Sequence, residues 1–139
     1  MQKPPRKKYK TNTKTTTINP DHIDCQNVLN NIHYSYYFEL ARHDCLKGFG
    51  KSMEDLVEEG IYPVLLDEHI RFKKPIEGGE ITITCVFEKI SRIKFVALQE
   101  ILISDKVVSI NRCEITCISA KTRRPFFPEY LKDHVQESK

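Results

Sequence analysis

The sequence predicts an α+β fold, one long helix packed on an antiparallel sheet, and three observations carry that prediction. Tyr34, Tyr37, Phe38, Ala41 and Cys45 fall at i, i+3, i+4, i+7 and i+11, one face of a helix closed by Gly48 and Gly50. After Gly60 the pattern changes to period-two alternation, which recurs through four strand-like segments. The connections between these segments are short, and a parallel pairing would need a crossover of a dozen or more residues. An antiparallel meander is therefore favoured.

The elements follow in order. Residues 1–13 are rich in Lys, Pro and Thr without apolar periodicity, which predicts a flexible basic arm ahead of a single domain at 14–139. Residues 14–18 are rich in β-branched side chains and read as a first strand, closed by Pro20. An irregular stretch through Asp24 leads to Asn30 and Asn31, good caps for the long helix that follows. That helix carries a second apolar stripe, Ile32, Tyr36 and Leu40, so it is expected to be mostly surrounded by protein. Within it, Glu39 and Arg42 are spaced i, i+3 for an ion pair.

A short helix is expected at 52–59, with Ser52 as cap, Glu54 and Asp55 in the first turn and Gly60 as stop. Strands follow at 64–72, from Ile81 through Phe87, at 95–103 and at 106–118. In the first of these, Leu66, Ile70 and Phe72 share a face opposite Asp67, His69 and Arg71. Residues 75–79 form a turn, Ser104 and Asp105 a hairpin connection, and the run 125–128 ends the sheet ahead of a short terminal helix at 129–135. One sheet of five strands leaves a face and edges uncovered, and dimerisation is the economical way to cover them.

Charge and cysteine usage narrow the class. Of 22 basic residues, six lie in the first 17 positions, where there is no acid. The remaining 16 face 19 acidic residues, so the body carries −3 although the chain carries +3. A nucleic-acid module needs its basic face on the folded part, so no nucleic-acid partner is expected. No apolar run approaches the length of a membrane span, and the basic start lacks the apolar core of a secretory signal. The five cysteines form no CxxC pair and show no metal-ligand spacing, which fits free thiols in a reducing cytoplasm. Cys85, Cys113 and Cys117 sit in strand alternation, as small buried apolar groups do.

The chemistry concentrates before the long helix. Orphan N–H groups and the positive end of the helix dipole make a site for an oxyanion or carbonyl oxygen. A carboxylate beside such donors, here Asp24, is the minimum equipment for attack on an acyl carbon. Read from the residues alone, Asp24 better suits an Asx-turn or a capping carboxylate ahead of the helix. Cys25 has His22 and His33 nearby, but nothing in the spacing supports a thiol nucleophile. Basic residues near the end of the sheet, Arg92, Lys94, Arg123 and Arg124, suit phosphate binding.

Asp24, Tyr34 ten residues later, Glu39-Leu40-Ala41-Arg42, Phe72 with Pro75 and Gly78-Gly79, and Arg124-Pro125 with Pro128 together resemble a known pattern. The chain resembles the hotdog-fold acyl-CoA thioesterases of the 4-hydroxybenzoyl-CoA thioesterase-like family. Around Asn30 and Asn31 it is also similar to acyl-ACP thioesterases. The resemblance implies a central helix wrapped by a five-stranded antiparallel sheet, as a homodimer or homotetramer with active sites at subunit interfaces. It implies hydrolysis of an acyl-CoA or acyl-carrier-protein thioester without metal or organic cofactor. Asp24 would act as general base or nucleophile, and the Asn31 backbone N–H would polarise the carbonyl. Asn30, His33, Tyr34, Arg92 and Lys94 would contact the substrate. The family often has Gly where this chain has Asn27, a residue that tolerates positive φ, and an acid where it has His22. A different-class reading of the same fold is a hotdog protein that binds acyl-CoA without turning it over.

Overall fold

The computed structural model describes residues 11–137. The first strand, β1 (Asn12–Thr17), is followed by α1 (Tyr34–Gly48), α2 (Met53–Glu58), β2 (Ile61–Phe72), β3 (Glu80–Lys89), β4 (Lys94–Ile103) and β5 (Lys106–Ser119). These five long strands form one sheet in the order β1-β3-β4-β5-β2, all antiparallel, with α1 lying over β1 and β3. This is the hotdog arrangement. Two short strands extend it: β6 (Pro125–Phe126) on β5, and β7 (Gln136–Glu137) parallel to β3. Of the basic arm expected at 1–13, residues 1–10 lie outside the described residues. Asn12 and Thr13 already pair with Cys85 and Thr84.

Alternation decides which side chains meet the helix. Ile81, Ile83, Cys85 and Phe87 of β3 are all buried, as are Phe95, Ala97 and Ile101 of β4. α1 lays Tyr37, Phe38, Ala41 and Cys45 on them. Each large apolar side chain removed from water in this way contributes about 1.5–3 kcal/mol. The core has two parts. One lies under the start of α1 around Phe38, Ile76 and Ile83; the other lies under its end and α2, around Leu56, Phe87 and Phe95. Between them runs a polar seam. Arg42 Nη1 donates to Gln99 Oε1 at 3.2 Å, and Gln99 Nε2 donates to the Phe38 carbonyl at 2.8 Å. The Glu68 carboxylate accepts from Ser35 Oγ at 2.5 Å and Asn111 Nδ2 at 3.0 Å, and stands 3.7 Å from the Arg42 guanidinium.

The short helix has the capping box its sequence promised, Ser52 with Asp55, and those bonds hold the Asp55 carboxyl below its ordinary pKa. Four expectations are corrected. Glu39 does not pair with Arg42, because Arg42 turns inward to the seam, and Glu39 instead faces His43 at 3.8 Å. β2 starts at Ile61, and a bulge between Leu65 and Asp67 takes up Leu66, so Leu65 rather than Leu66 pairs with inward Ile115. The terminal helix is a single 3-10 turn, Glu129–Leu131, which is enough to bury Leu131 before the chain turns to β3. The second stripe on α1 is not covered within one chain: Ile32 is 72% exposed and Tyr36 50%.

Candidate active site

The loop between β1 and α1 is closed by backbone bonds at several levels. Asn30 N–H donates to the His22 carbonyl at 3.0 Å, Ile23 pairs with Leu29, and Asp24 N–H donates to the Val28 carbonyl at 2.9 Å. Leu29 N–H then ties the loop to the Ile76 carbonyl at 2.7 Å. The tip turns at Asn27, whose φ of 64° is the left-handed conformation anticipated at this glycine-like position.

This closure holds Asp24. Its Oδ1 accepts the Gln26 N–H at 2.8 Å, an Asx-turn that fixes the carboxylate, and among the described residues Oδ2 has no protein partner. Asn30 spends its side chain as a cap, accepting from Ile32 N–H at 3.1 Å. Asn31 opens a 3-10 turn that runs directly into α1, and among the described residues its own N–H has no acceptor. The positive end of the helix dipole therefore presents a free donor.

Asp24, Asn31 and Tyr34 line one open cleft of about 330 Å³, together with Phe72, Lys73 and Lys74. Tyr34 is buried, which pushes its phenol pKa up, and its ring stands edge-on to Phe72 with centroids 4.7 Å apart. The backbone N–H groups of Lys73 and Lys74 both donate to the Val108 carbonyl, so the turn that carries them is fixed to the sheet. A cleft with one acid and two ammonium groups at its wall favours negative charge in a bound group.

Of the seven positions singled out in the sequence, three meet here. Asn30 serves them as a cap. His33 lies outside the cleft lining and stacks on His22. Arg92 and Lys94 are at the other end of the sheet. Lys94 pairs with Thr116 whereas Phe72 pairs with Ser109, seven residues along β5, or about 23 Å. Arg92 faces a separate cleft of about 520 Å³ with Lys89, Phe127 and Lys132. Lys73 and Lys74 were missed; the signal was a pair of cations between the strand-ending Phe72 and Pro75. Cys25 is exposed and next to Asp24 in the chain, while His22 Nδ1 is engaged with the Tyr37 hydroxyl.

Two other concavities lack this combination. A groove of about 820 Å³ runs over the outer face of the sheet past Arg71, Leu98, Glu100 and Arg112, without a helix terminus. An apolar crevice of about 260 Å³ lies between α1 and β2, lined by Leu46, Met53, Leu65, Phe87 and Phe95 with Arg42 at its wall.

Residues 18–135 match the profile of the thioesterase-like superfamily. The chain belongs to that superfamily. The membership places it among the thioester hydrolases. Three solved structures share the fold. A DHNA-CoA thioesterase from Staphylococcus aureus is 24% identical, with a TM-score of 0.77 over 84% of this chain and 79% of its own. A 1,4-dihydroxy-2-naphthoyl-CoA thioesterase from Synechocystis is 17% identical, with a TM-score of 0.82 over 91% and 96%. A Staphylococcus aureus protein solved in complex with CoA is 20% identical, with a TM-score of 0.81 over 91% and 82%. No curated protein sequence matches the chain.

Proposed function

We propose that this superfamily member hydrolyses an acyl-CoA thioester, or the same thioester on an acyl-carrier protein, with Asp24 as the reacting carboxylate. The observation that carries the reading is the shared cleft. One Asp24 oxygen is fixed by Gln26 N–H, the other has no partner among the described residues, and the same cleft holds the Asn31 N–H, which has no acceptor among them. Asp24 either takes a proton from an attacking water or attacks the acyl carbon itself. In both cases charge develops on the carbonyl oxygen, and Asn31 N–H donates to it. Collapse of the tetrahedral intermediate breaks the carbon–sulfur bond and releases the thiolate, which is protonated to free thiol. On the water route the acyl group leaves as the acid; on the nucleophile route it stays as an anhydride on Asp24 until a water hydrolyses it to the acid and the free carboxylate. CoA as the thiol carrier is supported by the related fold solved with CoA.

The distant Arg92 and Lys94 fit this reading in a homodimer. β2 is the edge of the sheet, and Leu65, Leu66 and Phe72 on it are each about half exposed. Two copies joined through this edge about a two-fold axis run their β2 strands antiparallel. The Phe72 end of one chain then lies beside the Ile61 end of the other, which is the end where Lys94 and Thr116 pair. A pantetheine arm spans roughly 15–20 Å, long enough to hold the thioester at Asp24 while the partner's basic end holds the phosphates.

The test is a panel of acyl-CoA thioesters with a thiol-trapping dye, run on wild type and Asp24→Asn. Expected is a loss of kcat of about 10²–10⁴-fold in the variant. Full activity in Asp24→Asn would remove the assignment, and saturable binding without turnover in wild type would favour a binding protein.

A further inference from the structure

His22 stands two residues before Asp24, and His33 two residues after Asn31. Their rings stack with centroids 4.0 Å apart and planes 16° from parallel, across the base of the loop that the Asn30-to-His22 backbone bond closes. The stack thus adds a side-chain contact across the two ends of the loop that carry the carboxylate and the amide donor. Behind it, His22 Nδ1 lies 2.6 Å from the Tyr37 hydroxyl, which also accepts Asn19 N–H at 2.9 Å. Tyr37 is 1% exposed, and among the described residues His22 Nδ1 is the one acceptor within reach of its hydroxyl, so donation to Nδ1 is the arrangement that keeps the buried phenol proton paired. That assignment requires Nδ1 of His22 to be unprotonated. An imidazolium would present a second donor to the phenol oxygen and strand the phenol proton in a buried place.

We propose that His22 is a positioning residue: stacked on His33 and bonded to Tyr37, it holds Asp24 and Asn31 at working separation only while its ring is neutral. The inference rests on the thioesterase reading for its catalytic consequence, not for its geometry. The groups facing His22 are His33 from the 3-10 turn and the phenols of Tyr36 and Tyr37 from α1, with Asp21 and Asp24 on its own segment. Neither His22 nor His33 makes an ion pair among the described residues; His43 and His69 do, so no carboxylate contact holds either ring charged. A second proton on the stack would set two cations face to face.

The experiment uses the full chain labelled with ¹⁵N. Ring shifts of His22 and backbone amide shifts of Gln26 and Asn31 are followed from pH 8 to 5 in wild type and in His22→Asn. The Asn Oδ1 falls where Nδ1 was and keeps an acceptor for the Tyr37 phenol without titrating. In wild type both amides are expected to move with the midpoint of the His22 ring, and in His22→Asn to stay flat. Amides that ignore the His22 midpoint, or that move equally in the variant, overturn the proposal. In parallel, kcat of wild type falls on the acid side with the His22 midpoint while KM stays within about twofold. His22→Ala lowers kcat by roughly tenfold to a hundredfold on the alkaline side of the His22 midpoint and matches wild type on the acid side, and His22→Asn restores most of the loss and removes the acid limb. A His22 that only supports the fold would leave the pH profile of the Asn variant unchanged. If wild type hydrolyses no thioester, the functional reading fails while the amide shifts still decide the clamp.

Discussion

Arg42→Met is the substitution whose cost the structure specifies best. The guanidinium lies in the polar seam with 9% of its side chain exposed, and its partner Glu68 has 16%. Breaking a buried ion pair typically costs 3–5 kcal/mol because one charge is left without compensation. Here Glu68 keeps Ser35 and Asn111 as donors, so the cost falls at or just below the low end of that range, about 2–3 kcal/mol. Methionine preserves the apolar stem and its packing, which confines the loss to the charge and to the Gln99 bond. For a domain of 139 residues this corresponds to a fall in Tm of about 8–10 °C. The assay is urea unfolding at fixed protein concentration, since assembly would add to apparent stability. Glu68→Gln completes a double-mutant cycle, and a coupling of about 1 kcal/mol or more is expected. A cost below about 0.5 kcal/mol for Arg42→Met, or strict additivity in the cycle, would refute the claim that the seam is an ion pair holding the two halves of the core in register.

Four further outcomes follow from the same structure. Asn27→Gly should leave stability unchanged or raise it slightly, whereas Asn27→Val, placed at a φ of 64°, should cost about 1–2 kcal/mol by urea unfolding. Cys25 is the one exposed thiol, so a disulfide reagent at neutral pH should label one cysteine per chain quickly and the other four only on unfolding; burial pushes Cys117 up to about 12. Leu65→Lys with Leu66→Lys should halve the mass seen by light scattering. Separately, mixing Asp24→Asn chains with Arg92→Glu/Lys94→Glu chains should restore part of the activity that each lacks alone, and no restoration would place the two ends in unrelated sites.

Much of the fold was legible because periodicity reports burial directly. The stripe Tyr34, Tyr37, Phe38, Ala41 and Cys45 is buried as its spacing required, and Ile81, Ile83, Cys85 and Phe87 all face the helix. What periodicity does not encode is a residue that drops out of register. The bulge at Leu66 shifts the alternation without any glycine or proline to announce it. Arg42 was read as a surface ion-pair partner because i, i+3 spacing is local, while its true partners, Gln99 and Glu68, are brought to it by the sheet. The stretch 129–135 has helical spacing in Leu131 and Val135, yet a turn buries both at less cost in ordered backbone.

The site divides along the same line. Asp24 and Asn31 share a cleft because they sit on one loop whose ends are tied within a dozen residues, and such proximity can be read from spacing. Lys73 and Lys74 enter that cleft from the far side of the sheet, so their chemistry was in view but their address was not. Arg92 and Lys94 are the reverse case. Their charge suits a phosphate, but in one chain about 23 Å of β5 separates the level of Lys94 from that of Phe72 in the cleft with Asp24. Sequence reasoning treats a chain as one body and has no operator that moves one end of a strand to the other. The two-fold axis proposed at β2 would be such an operator, acting on both copies equally. Each Asp24 would gain a basic end from its partner and each basic end would serve the partner's Asp24. A site built this way gives a chain whose Asp24 is intact no reason to work alone, which ties the exposed β2 edge to catalysis rather than to stability.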